Sequence, residues 1–364
     1  MLSRRQFGTL AALGFTEAAF AQRALAGPAP SGTIWLDANE NPDGPPPAAI
    51  QAMARVAPTA GRYHFLEFDS IYAAIAGNEK LRAEQVLVGA GSTEGLQAAV
   101  HAFTSPQRPF ITAWPTFEAG PEFTAAVGNP VVKIPLNAAY VSDVKKLAAE
   151  ADRARGGFIY ICNPNNPTAA ITPKQDIQWL VDNLPRNTVL MVDEAYIHFA
   201  KSPDIESALK YVNAGKDVVV LRTFSKIYGM AGLRVGFAAA RPDLIQKMAP
   251  FRNAVISIVS ARAVAAAIDL GPSFIDERRE KVGRIAAGMT TWCRAKKLNY
   301  IEPHANFMMI DVKRDVGEVA TAMLAKGIAV GRRFPPYDTM LRVTLGQESE
   351  MEKCRKALGE VLSV

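Results

Sequence analysis

FIYICNPNNPT, residues 158–168, is a short apolar run that stops at a string of turn formers. Phe158–Ile161 has the length and the β-branched, aromatic make-up of a buried strand. Cys162-Asn163-Pro164-Asn165-Asn166-Pro167-Thr168 cannot continue it, because proline has no N–H for the ladder and asparagine favours turns. The same layout recurs in QVLVGAGSTEG (85–95), VLMVDEAY (189–196) and VVVLRTFSK (218–226). Further strand candidates are Phe110–Ala113, Val131–Ile134 and Val235–Ala239. Helical patterns lie between most of them, for example Thr93–Phe103, Pro173–Asn183 and Ile205–Tyr211. Strands alternating with helices predict an α/β fold, a large domain whose mainly parallel mixed sheet lies between two layers of helices.

The pattern changes near Pro250. A long helical stretch, roughly Ser260–Leu298, precedes three short strand candidates, Ala305–Val312, Ile328–Val330 and Leu341–Thr344. This predicts a smaller C-terminal α/β domain. Thr33–Pro58, rich in Pro and Asn, reads as an extended arm. The expected organisation is therefore a leader over 1–26, an arm over 27–60, a large domain over 61–250 and a small domain over 251–364. No internal repeat is visible.

With 364 residues, 49% of them hydrophobic and 21% charged, the chain has an ordinary globular composition. A mainly disordered chain, a collagen-like repeat and a coiled coil are excluded. No apolar run reaches the ~18 residues of a spanning helix, so no stable membrane span is expected. The formal charge of +6 comes without a dense Lys/Arg cluster interleaved with aromatics, so nucleic acid is not an expected partner. Cys162, Cys293 and Cys354 are too few and too scattered for a zinc site or a disulfide framework. His64, His101, His198 and His304 lack metal-ligand spacing, so no metal is assigned.

The first residues place Arg4-Arg5 ahead of an apolar run from Gly8 to Phe15, followed by two A-x-A sites ending at Ala21 and Ala26. Charge, apolar run and small-residue site come in the order of an export signal. The paired arginines resemble a twin-arginine signal, which implies export of the folded protein to the periplasm; a cytoplasmic location is the alternative.

In an open parallel sheet, ligands bind beyond the carboxyl ends of the strands. After Val88 comes Gly89-Ala90-Gly91-Ser92-Thr93, small residues opening a helix whose free N–H groups suit a phosphate. After Ile161 comes the asparagine-rich turn with Asn166. After Val192 come Asp193 and Tyr196. After Leu221 come Thr223, Ser225 and Lys226, with Arg234 beyond. This set meets the needs of pyridoxal 5'-phosphate: an amine for a Schiff base, a carboxylate beside the pyridine nitrogen, partners for the ring oxygen, and donors for the phosphate.

These motifs also carry a family resemblance. ANENP (38–42), GAGSTEGL (89–96), NPNNPT (163–168), DEAY (193–196), TFSK (223–226), AGLRVG (231–236) and LRVTLG (341–346) occur in the order seen in fold-type I pyridoxal-phosphate-dependent aminotransferases. The chain is most similar to the histidinol-phosphate aminotransferase family. The resemblance implies Lys226 as the Schiff-base lysine and proton shuttle, Asp193 at the pyridinium nitrogen, and Asn166 with Tyr196 at the ring oxygen. It implies Gly91, Ser92, Thr93, Thr223, Ser225 and Arg234 around the cofactor phosphate and Phe117 stacked on the ring. Tyr63 would reach the phosphate of the neighbouring subunit, which implies a homodimer. Arg342 would clamp the substrate α-carboxylate, and Asn39 would lie in the arm over the substrate.

Two positions depart from the family pattern. Ala169 stands where glycine usually follows NPxNPT, and His64, followed by Phe65, where proline usually follows the Arg-Tyr pair. The implied reaction moves an amino group between an L-amino acid, or histidinol phosphate, and a 2-oxo acid such as 2-oxoglutarate. An aromatic or other L-amino acid is the rival donor, and a lyase or decarboxylase on the same fold is the rival chemistry. Arg332 and Arg333 read as a solvated pair or as further substrate contacts. Gly89–Gly95 also resembles a dinucleotide fingerprint, but no acidic residue ends the next strand candidate.

Overall fold

The computed structural model describes residues 31–252 and 255–364; the leader expected over 1–26 lies outside the described residues. In chain order the strands are β1 (Ile34–Leu36), β2 (Val86–Gly89), β3 (Phe110–Trp114), β4 (Val131–Pro135), β5 (Gly157–Cys162), β6 (Thr188–Asp193), β7 (Val218–Thr223), β8 (Gly236–Ala239), β9 (Phe307–Asp311), β10 (Ile328–Val330) and β11 (Met340–Thr344). The helices are α1 (Pro47–Val56), α2 (Phe65–Asn78), α3 (Ser92–Phe103), α4 (Ala119–Ala126), α5 (Val144–Arg153), α6 (Lys174–Asp182), α7 (Leu209–Asn213), α8 (Pro242–Met248), α9 (Ile258–Ile268), α10 (Gly271–Ala295), α11 (Val316–Ala325) and α12 (Glu348–Leu362).

Seven strands form one sheet in the order β2-β8-β7-β6-β5-β3-β4. Strands β7, β6, β5, β3 and β4 pair in parallel, while β8 is antiparallel to both of its neighbours. The connection from β7 to β8 holds only a 3₁₀ turn at Ala231–Leu233, so it lacks the crossover helix that a parallel return needs. Because β8 runs backwards, Arg234 just before it reaches the edge where the other strands end. Register aligns that edge: Gly89 and Thr223 both sit opposite Gly236, and Asp193 sits between Cys162 and Leu221.

Residues of one strand alternate between two cores. Phe158, Tyr160 and Cys162 join Val189, Met191, Val219 and Leu221 in a core closed by Leu96, Ala99 and Phe103 of α3. Ile159, Ile161, Leu190, Val192, Val218 and Val220 face the opposite core, with Ile71 of α2, Leu147 of α5 and Val264 of α9. Burial on both faces is why these strands read as continuous apolar runs rather than as alternating ones. A separate core holds Ile285 and Met289 of α10, Met308 and Ile310 of β9, Val319 and Met323 of α11, Leu341 of β11 and Met351 of α12.

The structure corrects several expectations. The segment read as an extended arm is extended only at its start: β1 pairs in parallel with β10, and α1 follows. Pro47 at the first helical position suits a helix start. Leu36 belongs to the C-terminal core, whereas Ala49 belongs to the large one. The stretch 260–298 is not one helix. The axes of α9 and α10 meet at 89°, at Gly271 with φ +71° and Pro272 in the first turn of α10. Only glycine takes that φ cheaply, and proline has no N–H to continue the helix. Within this stretch, α9 and Ile275 pack with the sheet core and Ile285 with the C-terminal core. The helix expected over 205–211 begins at Leu209, because the Ser207 hydroxyl and the Ala208 N–H are taken by the buried carboxylate of Glu194, at 2.9 and 2.6 Å. No single helix among the described residues is long and apolar enough to cross a membrane.

Gly236 is where the edge is tightest. A Cβ there would overlap the Ser92 amide nitrogen and come within 2.9 Å of the Arg222 carbonyl oxygen. Both obstacles are backbone and cannot rotate away. Gly236→Ala is expected to cost about 1–3 kcal/mol of overpacking, read as a lower urea midpoint; an unchanged midpoint would mean that the strand end is not close-packed.

Candidate active site

Lys226 follows β7 by three residues, and its amine turns toward the segment after β1. Nζ donates to the carbonyl oxygens of Asn39 at 3.0 Å and Ala38 at 3.4 Å. It lies 5.6 Å from the centroid of the Tyr196 ring. Burial, then the positive charge of Arg342, pulls the ammonium pKa down to about 8. Asp193 is the last residue of β6 and 3% exposed. Its Oδ2 accepts from the Tyr160 hydroxyl at 2.9 Å and its Oδ1 from the Ala195 N–H at 3.1 Å. Burial nevertheless raises its acid to about 6. An amine that gives up its proton easily and a carboxylate with no ion pair among the described residues thus share one sheet edge.

The loop after β2 forms a cradle. Gly91, with φ +81°, precedes the first turn of α3, where Ser92 and Thr93 lie. The Arg234 guanidinium lies so close to Gly91 that a Cβ there would run into it. Arg234 Nη1 donates to Ser225 Oγ at 3.4 Å and to the Ala231 carbonyl at 3.0 Å. Thr223 and Ser225 join through a 2.9 Å hydroxyl–hydroxyl bond. No carboxylate pairs with Arg234 among the described residues. A helix N-terminus, two hydroxyls and an unneutralised guanidinium fit a phosphate.

The C-terminal core supplies the other side. Arg342 on β11 is 8% exposed. Its Nη1 donates to Asn166 Oδ1 and its Nη2 to the Asp37 carbonyl, both at 2.6 Å, while Nε is buried without a partner. Its guanidinium lies 4.7 Å from the Phe334 ring centroid. Burial pulls its pKa down to about 10. A buried cation whose hydrogen bonds go to neutral oxygens is one that an incoming carboxylate would stabilise. Asn39, 1% exposed, ties the two sides together: Nδ2 reaches Tyr196 Oη at 3.2 Å, and its backbone N–H reaches Thr344 Oγ1 at 2.9 Å.

Lys226, Asp193, Tyr196, Asn166, Asn39 and Arg342 are therefore brought together, and Gly91, Ser92, Thr93, Thr223, Ser225 and Arg234 line the adjoining cradle. Phe117 lies beyond the end of β3, partly buried against the α3-side core. Tyr63 stands apart, 77% exposed and stacked on Phe65 at 5.1 Å between centroids. Ala169 holds φ +60° at 0% exposure, which explains why a glycine would suit that turn. His64 takes φ +58° at the start of α2 and bonds Glu67 Oε1 at 2.6 Å and the Thr59 carbonyl at 2.9 Å.

Three contributors escape a reading of the sequence. Tyr160 looks like a core aromatic in an apolar strand. Asn306 donates to the carbonyls of Asn39 and Glu40, both at 3.1 Å, and only the fold brings it to them. Glu118 pairs with Arg332, whose guanidinium lies 4.3 Å from the Phe334 ring centroid, so Arg332 is not simply solvated. Arg333 is: half exposed, it makes only long contacts with Asp315 at 3.8 Å and Asp338 at 3.6 Å.

Comparison with known proteins accords with this geometry. The family described as Aminotransferase class I and II matches residues 31–358. A histidinol-phosphate aminotransferase of Moorella thermoacetica is 33% identical over 340 residues, covering 91% of this chain and 86% of that protein. An aromatic amino acid aminotransferase of Cutibacterium acnes is 32% identical over 337 residues, covering 90% and 92%. Among solved structures, the histidinol-phosphate aminotransferase of Sinorhizobium meliloti in complex with pyridoxal-5'-phosphate shares the fold, with a TM-score of 0.83 at 24% identity over 91% of each chain. With a phosphate cradle, a depressed lysine and an uncompensated carboxylate at one edge, the chain belongs to the class I and II aminotransferases, enzymes that work with pyridoxal 5'-phosphate.

Proposed function

We propose that this aminotransferase takes its amino group from an L-amino acid with a flat aromatic side chain and passes it to a 2-oxo acid such as 2-oxoglutarate. The observation behind the aromatic donor is the Glu118–Arg332 pair. A phosphorylated donor such as histidinol phosphate would bring a dianion to Arg342 in place of a carboxylate, and a second free cation beside the clamp would suit it. Arg332, whose guanidinium lies 4.3 Å from the Phe334 ring centroid where that of Arg342 lies at 4.7 Å, is engaged by Glu118 instead. Phe307 and Phe334 flank Arg342 at 5.6 and 4.7 Å, and aromatic walls suit a flat ring.

In this reading Ser92, Thr93, Ser225 and Arg234 hold the cofactor phosphate, with Gly91 and Thr223 shaping the cradle. Phe117 would support the ring, and Asn166 with Tyr196 would hold its oxygen. When bound, the cofactor supplies an electron-accepting ring for the electrons of the substrate Cα–H bond. Asp193 supplies the negative charge that keeps a pyridine nitrogen protonated. Arg342 grips the substrate carboxylate through the fork that now holds Asn166 and Asp37. Lys226 Nζ, with its lowered pKa, accepts the α-proton and returns it nearby. Asn39 closes the arm over the substrate.

Two wider features belong to the same proposal. Tyr63, Phe65 and Leu66 are 77%, 63% and 96% exposed. A second copy of the chain covers this surface and takes Tyr63 toward its own cofactor phosphate, making a homodimer. The paired arginines at positions 4 and 5 export the folded protein to the periplasm.

The deciding experiment measures kcat/KM for L-tyrosine, L-phenylalanine and histidinol phosphate with 2-oxoglutarate as acceptor. Aromatic donors are expected to lead, and a dominant histidinol phosphate would reverse the substrate reading. Lys226→Ala is expected to lower every rate by more than about 100-fold; retained turnover would remove Lys226 from the chemistry.

Asp193 makes a prediction about pH. Folding raises its acid from an ordinary 3.8 to about 6, so the folded chain without cofactor holds this proton more tightly than the unfolded chain. That stabilisation is present below the ordinary value and is lost as pH rises through about 6. Asp193→Asn removes the titration. Relative to the native chain, the variant should gain up to about 3 kcal/mol between pH 4 and pH 7, while losing activity. Urea midpoints across that range test this, and a difference independent of pH would contradict it.

Export is tested separately. Replacing Arg4 and Arg5 by lysines is expected to keep the uncleaved precursor inside the cell; undiminished periplasmic enzyme would reject the twin-arginine reading.

A further inference from the structure

We propose that Tyr160 is a positioning residue for Asp193, fixing the carboxylate from within the sheet so that its charge faces the cofactor ring. The inference rests on the reading of Asp193 as the partner of the pyridine nitrogen. Tyr160 is the third residue from the end of β5, and Cys162 at that end lies directly opposite Asp193. Tyr160, Cys162 and Asp193 therefore share the α3 side of the sheet. The phenol is 0% exposed and its ring stacks on Phe110 at 5.7 Å between centroids. A hydroxyl in such a place is costly unless it is hydrogen-bonded. Its acceptor is Asp193 Oδ2 at 2.9 Å.

The pair fixes more than a distance. Asp193 Oδ1 is held by the Ala195 N–H at 3.1 Å and Oδ2 by the phenol, so neither oxygen can rotate without breaking a bond. A phenylalanine would fill the same space without that second anchor. The phenol is also held in the un-ionised, donating form, because burial and the neighbouring Asp193 charge raise its pKa well above the usual value. Its bond favours the charged form of Asp193, opposing the burial that disfavours it. The facing groups are Cys162, whose thiol is likewise pushed up by burial, with Glu194 next along the chain and Lys226 across the edge.

The test is a cycle of native chain, Tyr160→Phe, Asp193→Asn and the double variant. Stability of the protein without cofactor is measured by urea unfolding from pH 4 to 8. The difference between chains that keep Asp193 and chains that carry Asp193→Asn isolates the titration of this one carboxylate. Losing the phenol is expected to move the midpoint of that difference upward by about one pH unit. In the loaded enzyme Tyr160→Phe is expected to lower kcat several-fold while leaving KM for the amino donor within a factor of two. If Tyr160→Phe does not fold, 3-fluorotyrosine at position 160, a stronger proton donor of nearly equal size, should move the midpoint downward. A midpoint unchanged by either substitution overturns the proposal. Loss of activity in Asp193→Asn with no shift in the phenol variants would leave the cofactor reading standing and remove Tyr160 from it.

Discussion

A carboxylate at the end of a central strand, walled in and, among the described residues, bonded by a phenol and a backbone amide, is the constraint around which this molecule is arranged. Burial disfavours the charge of Asp193 there, and a positive ring nitrogen facing it would favour that charge. The neighbouring strands are set accordingly. Leu221 on β7 aligns with Asp193, and the chain then turns so that Lys226 comes back over the same edge. Strand β8 runs in reverse and so delivers Arg234 to the cradle, with Gly236 as the residue that lets the cradle close on the strand. Burial acts in opposite senses on the two key groups, making Lys226 a weaker cation-former and Asp193 a weaker acid. Burial is the largest cause of both shifts, and the positive charge of Arg342 adds to that of Lys226.

The second organising contact is between the two halves of the site. Arg342 comes from the C-terminal core and Asn166 from the large sheet, yet they meet at 2.6 Å. Asn39 bridges Tyr196 on one side and Thr344 on the other. The groups suited to substrate and those suited to cofactor are thus mechanically continuous. An anion that took hold of Arg342 would compete with the Asn166 side-chain oxygen for the same guanidinium.

Much of this is legible in the sequence because strand ends announce themselves. An apolar run followed by Asn-Pro, Asp-Glu or Ser-Lys marks both the strand and its functional edge, and the parallel order needs only the intervening helices. What stays hidden depends on tertiary placement. Tyr160 reads as core because it alternates with apolar neighbours; its partner lies on another strand. Asn306 and Glu118 carry no local motif and meet the site only through the fold. The helix α1 is disguised by prolines that in fact start it. The break between α9 and α10 rests on one glycine and one proline in an otherwise helical pattern. Glu194 delays α7 by capturing the N–H of Ala208, a tertiary claim that no local propensity records.

Strand β1 carries a last consequence. Ile34–Leu36 pairs with Ile328–Val330, and Leu36 lies in the core built by the C-terminal third of the chain. The Asp37 carbonyl, just beyond, is one of the two acceptors on Arg342. A ribosome releases the N-terminal end first, so this strand emerges long before its partner exists. It has to wait, unpaired, until Ile328–Val330 has been made. The central sheet can form as its strands emerge, whereas the pocket closes only once β10 has followed and paired with β1.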